Sequence, residues 1–590
     1  MKKAGKFSAL IIRNLAHKIY HMCHLQNTGG LIMEKIVDDN YYDIIISNGM
    51  IPAYDTGDNI TNMNFRHSLV HVPVSDLNPC DLGILYPYNA FPSVLTLSST
   101  ISLEKSGVGT VQRNPYLALF GRGIIVAILD TGIDYQHQAF RYNDGTTRIL
   151  SIWDQTQQDG IPPAGFTYGT EYTRDVINTA LRSENPLAIV PSVDTNGHGT
   201  AIASVAAGKA NLGEAFSGVV PEADLLIVKL KPAKNSLKRV FFVPEDAECY
   251  QESDLIIGLN YVTSYAQSLN RPIAVCVAMG TNQSSHDGRG ATSYFTNYLS
   301  QLPHTGVTIT SGNEANKRRH YYNNTTEAPF FNDVEFIVGA NDTLFSLELW
   351  TFAPARLTIE LTAPNRESTS EVRPTLGGCN EFSFGENESQ VWINNFLFEE
   401  ETGDPMILMR FQNPIPGTWS IRIRNIDEEP FSFHIWMPSG NLISEGTFFL
   451  RPNTDTTITA PGTSMHPLAV TAYNQFNDSI LPESGRGYTR TGFVKPDIAA
   501  PGYELTCAVP GDRYGTITGS GCAASHAAGI VAMVFEWAVP RGNYTTITGN
   551  DVNRLIVRGA VRAPTNVYPN NVWGYGQIEI NSLFERLANI

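Results

Sequence analysis

Cysteine is scarce in this chain of 590 residues. The seven present (Cys23, Cys80, Cys249, Cys276, Cys379, Cys507 and Cys522) are odd in number, scattered, and form no CxxC pair or other metal-ligand spacing. That pattern speaks against a disulfide framework or a zinc site and fits a reducing compartment. Buried small apolar residues are the expected role. No apolar run approaches the roughly 18 residues of a membrane-spanning helix, so no span is expected. Positive charge is also in short supply. Lys and Arg total 41 against 57 Asp and Glu, a formal charge of −16, which excludes a nucleic-acid scaffold built on a basic footprint. A secretory signal is missing as well. Lys2, Lys3 and Lys6 precede an apolar run of only Phe7 to Ile12, Arg13 interrupts it, and no small-residue cleavage site follows. Residues 1–33 therefore read as a basic extension of a chain made in the cytoplasm.

What is present is ample core material, 42% hydrophobic and 10% aromatic residues, enough for several domains. Residues 34–94 form a compact segment with a short apolar strand, Ile44 to Ile46, too small for a core of its own. Residues 95–332 read as α/β. Gly123 to Leu129, Leu225 to Leu230, Ile273 to Val277 and Val307 to Thr310 are continuous apolar runs, as in strands buried on both faces, and helical stretches such as Thr200 to Ala207 and Ser253 to Ser268 separate them. This predicts a parallel sheet with right-handed crossovers and helices on both faces. Residues 333–453 change texture. Phe345 to Leu349, Leu357 to Leu361, Ser420 to Arg424 and Phe431 to Trp436 alternate apolar and polar residues between Pro, Gly and Asn clusters, predicting an all-β sandwich or jelly roll. Trp392, Trp419 and Trp436 read as its core rather than as a carbohydrate platform. The α/β pattern resumes over 454–590.

Three segments carry chemistry when read together. A buried strand ends in Leu129-Asp130-Thr-Gly-Ile, placing a carboxylate where α/β sheets put their ligands. Asp194-Thr-Asn-Gly-His198-Gly-Thr opens a helix of small residues. Gly519-Ser-Gly-Cys-Ala-Ala-Ser-His526 opens another, and helix N-termini concentrate N–H donors that stabilise a developing oxyanion.

In their order Asp…His…Ser-type helix, these motifs resemble the subtilisin-like serine proteases, the subtilase or peptidase S8 family. The resemblance implies that Asp130 orients the histidine, His198 is the general base, and Asn313 in Ser311-Gly-Asn-Glu314 is a side-chain donor to the oxyanion. It further implies that Ala278-Met279-Gly280 pairs with substrate backbone and lines the main specificity pocket. Lys495-Pro-Asp-Ile-Ala-Ala-Pro-Gly502 matches the segment that the family carries before its serine. One position departs. The family's nucleophile stands five residues before the motif histidine, and counting back from His526 lands on Gly521, which has no hydroxyl for His198 to deprotonate. Ser520 occupies a neighbouring helical position about 100° away. Cys522 is expected to pack, and Ser464 in Gly462-Thr-Ser-Met leads into a strand rather than a helix. Two accounts stay open: a naturally silenced protease, or an active one whose serine has been substituted to hold its precursor.

The β insertion between the Asn313 and Gly521 segments, with Phe91-Pro-Ser-Val and Thr281-Asn-Gln-Ser-Ser-His-Asp-Gly288, resembles the Csp germination proteases and pseudoproteases of clostridial spores. That resemblance implies that residues 34–94 are a pro-segment remaining bound in the cleft, with its end near Tyr86 to Leu95, and that 333–453 is a jelly roll. It implies a role in spore germination, packaging in the spore, and peptide or protein partners, namely other Csp proteins and a cortex-lytic pro-enzyme. No cofactor is expected; structural calcium, common in the family, stays open, since no EF-type loop is written in the sequence and scattered Asp and Asn do not mark a site. His286-Asp287 reads as loop structure.

Overall fold

The computed structural model describes residues 34–48, 59–74, 88–97, 103–386 and 388–588. The basic extension at the N-terminus lies outside them. The apolar runs become the middle of the molecule. Thr305–Thr310, Ile273–Val277, Ile125–Asp130, Asp224–Lys229 and Ile149–Asp154 lie side by side in that order, all parallel, with Leu468–Asn474 and then Ile498–Pro501 continuing beyond Thr305–Thr310. Two antiparallel strands also pair with it, Thr170–Thr173 at the edge on Ile149–Asp154 and the short Ser479–Ile480 on Leu468–Asn474. The nine-stranded sheet is therefore mixed, not wholly parallel as the strand–helix alternation predicts. For Ser479–Ile480 the reason is chain length. Only residues 475–478 separate the two strands, whereas a parallel return needs a crossover of about a dozen.

Side chains alternate across this sheet and bury on both faces. Val126 and Ile128 pack with Ile202, Ala206 and Val531 of the helices His198–Ala207 and Ser520–Ala538. Ile125, Ala127 and Leu129 pack with Leu255, Leu259 and Leu299 of the helices Glu252–Ser268 and Ala291–Gln301. Among the described residues, Ser520–Ala538 is long and apolar enough to cross a membrane by length and composition, but 94% of its apolar window is buried inside the protein. It escapes a search for apolar runs because Ser520, Ser525, His526 and Glu536 interrupt it.

Strands from His320–Thr325 to Phe448–Phe449 form a second unit of a six-stranded and a four-stranded antiparallel sheet. Its first two strands, His320–Thr325 and Phe331–Val338, begin ahead of the Asp333 at which the alternating pattern is read. The apolar members of the alternation, such as Leu347, Leu349, Phe433 and Ile435, meet Val334, Phe336, Ile421 and Ile423 between the sheets. The other face of the six-stranded sheet is also covered. Trp350, Met406, Leu408 and Trp436 share an apolar cluster with Leu237, Val240 and Phe241 and with Tyr42, Ile44, Phe91 and Val94. Trp392, Trp419 and Trp436 are all buried, as expected of core residues. Cys249, Cys276, Cys507 and Cys522 are free and buried, but Cys379 is disulfide-bonded, against expectation. Sequence spacing alone does not reveal which distant segments meet.

The N-terminal segment is a three-stranded antiparallel sheet of Tyr41–Ser47, His67–Pro73 and Ile60–Asn62. It docks through a buried carboxylate. Asp43 Oδ1 lies 2.9 Å from Lys234 Nζ and 2.7 Å from His71 Nδ1, and its Oδ2 accepts from Gln251 Nε2 at 2.9 Å. Burial alone would raise this carboxyl, but Lys234 and His71 outweigh it and bring it down to about 2. The folded value lies below the unfolded one, so the contribution is complete above about pH 4 and is lost as pH falls towards 2. Lys234→Met strands Asp43 without its cation and should cost about 3–5 kcal/mol. The readouts are a lower unfolding midpoint and faster hydrogen exchange across Tyr41–Ser47; an unchanged midpoint and exchange would show that the pair does not hold this segment in place.

Candidate functional site

Asp130 is the last residue of its strand, and His198 is the first of its helix. His198 Nδ1 lies 2.8 Å from Asp130 Oδ1, and both side chains are buried. This bond fixes the ring proton on Nδ1 and makes Nε2 the basic nitrogen. Asp194 clamps the approach to the pair. Its Oδ1 accepts from Thr131 Oγ1 and the Gly197 N–H, each at 2.8 Å, and its Oδ2 accepts from the Thr200 N–H at 2.8 Å and Thr200 Oγ1 at 2.6 Å. Thr131 Oγ1 in turn accepts from the Gly199 N–H at 2.8 Å. The fit leaves no room for a side chain at 199, where a Cβ would stand 2.2 Å from Gly132 O. The role of Asp194 is missed in a reading that singles out only the histidine, although the residue stands in the same motif.

The second helix places Gly521. Ser525 Oγ donates to Ile202 O at 2.6 Å, and a Cβ on Gly529 would lie 3.1 Å from Ala206 O. Ser525 and Ile202 stand four residues beyond Gly521 and His198, and Gly529 and Ala206 stand eight beyond. Two contacts with equal offsets mean that the helices run side by side in the same direction and in register. Gly521, the second residue of its helix, is therefore level with His198.

The hydroxyl and thiol groups named with Gly521 in the sequence are engaged elsewhere. Ser520 Oγ lies 2.6 Å from Thr310 Oγ1, 2.8 Å from Gly312 O and 2.9 Å from Asn313 Oδ1, so its hydroxyl is engaged away from the histidine. Cys522 is fully buried, its Sγ lies 3.3 Å from Gly519 O, and burial pushes the thiol well above its ordinary value. Ser464 is buried, 3.4 Å from Thr296 Oγ1, and precedes the strand Leu468–Asn474. His526 faces away, with Nε2 meeting Ser106 Oγ at 2.6 Å.

Asn313 follows the strand Thr305–Thr310. Its Oδ1 accepts from both the N–H (3.0 Å) and the hydroxyl of Ser520, and its Nδ2 has no acceptor among the described residues. That orientation leaves an N–H donor beside the helix N-terminus, the arrangement that stabilises an oxyanion. Asn313 also lines a cavity of about 470 Å³ with Gly280, Gly312, Glu314, Arg319 and Thr459. Thr459 wedges beside Gly280, where a Cβ would meet its Oγ1 at 2.2 Å. One wall comes from the β unit. The Gly440 N–H donates to Glu314 Oε1 at 2.9 Å, and Arg319 bridges Glu314 and Gly440 O. Sequence reading assigns no part of the β unit to this site. Its only hint is the turn sequence Pro438-Ser-Gly440-Asn.

Ala278 follows directly on Ile273–Val277, and Met279–Gly280 form a short strand. That strand is occupied. Val94–Leu97 pairs with it antiparallel, Met279 opposite Leu97 and Gly280 opposite Thr96, and on its other side pairs with Tyr250–Gln251. The N-terminal segment thus lies as a central strand along the cleft. The strand reaches Leu97 among the described residues, and Tyr86 lies outside them. His286 is buried, stacked on Trp436, in keeping with loop structure.

A strand-end aspartate held to a helix-capping histidine, an asparagine donor and a peptide-like strand in an antiparallel groove define a site of the subtilisin type. The sequence matches the subtilase family over residues 121–326 and 403–576, and the chain belongs to that family. The break between the two matched stretches falls within the β unit. The structure is similar to that of the CspB protease of Clostridium perfringens, with a TM-score of 0.74 and 28% identity, covering 83% of this chain and 99% of that one. Among curated proteins, a C5a peptidase of Streptococcus pyogenes is 23% identical over 488 residues, 77% of this chain and 39% of its own length. The subtilisin-like protease SBT3 of Solanum lycopersicum is 24% identical over 458 residues, 70% of this chain and 55% of its own. The chain thus spans about two fifths of the streptococcal relative's length.

The burial of Cys522 has a direct consequence. Maleimide at pH 8 should leave this thiol unmodified in the native chain and label it after denaturation. Native labelling at Cys522 would restore it as a nucleophile.

Proposed function

We propose that this chain is a Csp-type subtilase that lacks its nucleophile at Gly521 and serves as a non-catalytic signalling component of spore germination. The observation that carries the reading is the helix register, which sets a residue without a hydroxyl level with His198 while Asp130, His198 and Asn313 keep their places. Peptide cleavage in this family requires an oxygen whose proton the histidine removes. In subtilisin, loss of that serine alone lowers kcat about 10⁶-fold. With no attacking oxygen, the pair Asp130–His198 and the donor Asn313 retain only the capacity to hold a peptide.

On this reading residues 34–94, with the strand reaching Leu97, are a pro-segment left uncleaved in the cleft, because the chain cannot cut itself. The β unit, residues 333–453 together with the strands ahead of them, is a jelly roll that braces both the pro-segment and the pocket. Ala278 to Gly280 is the edge that receives peptide backbone. The partners are other Csp proteins and a cortex-lytic pro-enzyme, met in the spore, and no cofactor is called for. The completeness of the rest of the site favours one second reading: an active endopeptidase of the same type whose serine has been replaced, holding the precursor.

A fluorophosphonate probe tests the central claim about Gly521. The chain as it stands should remain unlabelled, Gly521→Ser should be labelled at position 521, and His198→Ala in that background should abolish the labelling. Labelling of the unaltered chain would overturn the reading by exposing another nucleophile. An unlabelled Gly521→Ser chain would count against the replaced-serine reading and leave signalling as the better account.

A further inference from the structure

The face of the six-stranded sheet that docks on the subtilase unit carries an unusual ring stack. His286 lies parallel to Trp436 at 4.0 Å, His320 at 4.8 Å and His434 at 5.0 Å between ring centroids. All four side chains are buried. His320 Nε2 and His434 Nδ1 share a hydrogen bond of 2.9 Å. His286 Nδ1 and Nε2 stand 2.9 Å from Ile458 O and 3.1 Å from Asn282 O. The rings come from three separate stretches: the loop before helix Ala291–Gln301, the strand His320–Thr325, and the strand Phe431–Trp436.

Each stretch runs directly into the 470 Å³ cavity. Arg319 precedes His320 and donates to Gly440 O at 2.7 Å and Ile443 O at 2.9 Å. Met437 follows Trp436, and its carbonyl accepts from Asn282 Nδ2 at 3.0 Å. Asn282 itself follows Gly280 and Thr281 and leads to His286. The ring stack is thus the point at which three walls of the cavity are tied together.

We propose that this stack is a proton-sensitive joint: neutral imidazoles keep the β-unit wall docked beside Asn313, and protonation releases it. The carboxylates nearest His286 are already committed to a buried cation. Arg490 is already positive and buried, reaching Ser285 O, Thr351 O, Asp404 Oδ2 at 2.8 Å and Asp287 Oδ2 at 3.4 Å, so both carboxylates are engaged. Glu348 stands opposite Trp436 in the sheet and accepts from Trp350 Nε1 at 3.2 Å. Asp455 lies beside His320, with Arg486 nearby. Burial dominates each ring. It lowers His286 to about 4, against the pull of its two carbonyls, lowers His320 to about 3, and holds His434 well below the ordinary value.

The sign follows from linkage. Folded values lie below the ordinary value of about 6.5, so the released joint binds more protons than the docked one. Docking is at full strength above about pH 6.5 and weakens as pH falls towards 4. Each ring set free adds up to about tenfold to the opening constant per pH unit.

The inference does not depend on whether the cleft is catalytic. Hydrogen exchange of the full chain at pH 7.5 and 5.5, corrected for intrinsic rates, tests it. Opening of residues 312–325 and 431–445 should rise by about tenfold if one ring is freed and up to about a thousandfold if three are, with Ile273–Val277 unchanged. His434→Gln removes one titrating ring and should shrink the ratio. Should that variant not fold, emission of the unaltered chain measured against Trp436→Phe gives the second readout. Release exposes the stacked indole to water, so the Trp436 contribution should move to longer wavelength on acidification. Equal protection at both pH values, or a loss spread equally through the central sheet, would overturn the proposal.

Discussion

The cleft depends on two helices of small residues lying against each other in register. His198–Ala207 and Ser520–Ala538 are built almost wholly from Ala, Gly, Ser and Val where they meet, so their backbones approach closely enough for Ser525 to reach the Ile202 carbonyl. Larger side chains would separate them and lift position 521 away from the histidine. Every other part of the site is fixed relative to this pair. Asp130 reaches His198 because the strand ends beneath the helix start, and Asp194 locks that junction from above. Asn313 is held by Ser520, a residue of the second helix. The helix pair thus brings Asp130, His198 and Asn313 together beside a residue 521 that has no side chain.

Around that pair, three parts of the chain share one apolar cluster. Tyr42, Phe91 and Val94 of the N-terminal segment, Leu237 and Val240 of the α/β unit, and Trp350 and Trp436 of the β unit bury against one another. Such sharing makes the N-terminal segment part of the fold's core rather than an appendage, and a buried Asp43–Lys234 pair fixes its position. The same segment ends as the strand filling the groove between Met279–Gly280 and Tyr250–Gln251. Occupancy of the cleft and packing of the β unit are therefore coupled through the same residues, and the wall of the cavity beside Asn313 is supplied by a unit far away in sequence.

Much of this was legible in the sequence because it is local. Continuous apolar runs gave the central strands, since strands buried on both faces tolerate little else. Alternation identified the sandwich strands, and the spacing of Gly521 to His526 exposed the missing side chain. What was not legible is what distant segments do to one another. In Phe431–Trp436 the polar His434 looks solvent-facing by pattern, yet it lies with Trp436 on the face that meets the α/β unit, because a second buried face leaves the period of two unchanged. The Gly440 wall and the disulfide at Cys379 likewise arise from tertiary proximity. Asp194 lay in plain view, but a carboxylate that binds only backbone and hydroxyl groups carries no spacing signal that separates it from an ordinary turn residue.

The central claim is that this is a subtilase whose own strand fills a cleft it cannot cut. Intact mass of the purified chain, followed over days beside Gly521→Ser, tests it most directly. The account predicts one undivided mass for the chain as it stands and, where the hydroxyl is restored, a break beyond Leu97, the last of the described residues paired along the groove. Self-division of the unaltered chain, abolished by His198→Ala, would contradict it.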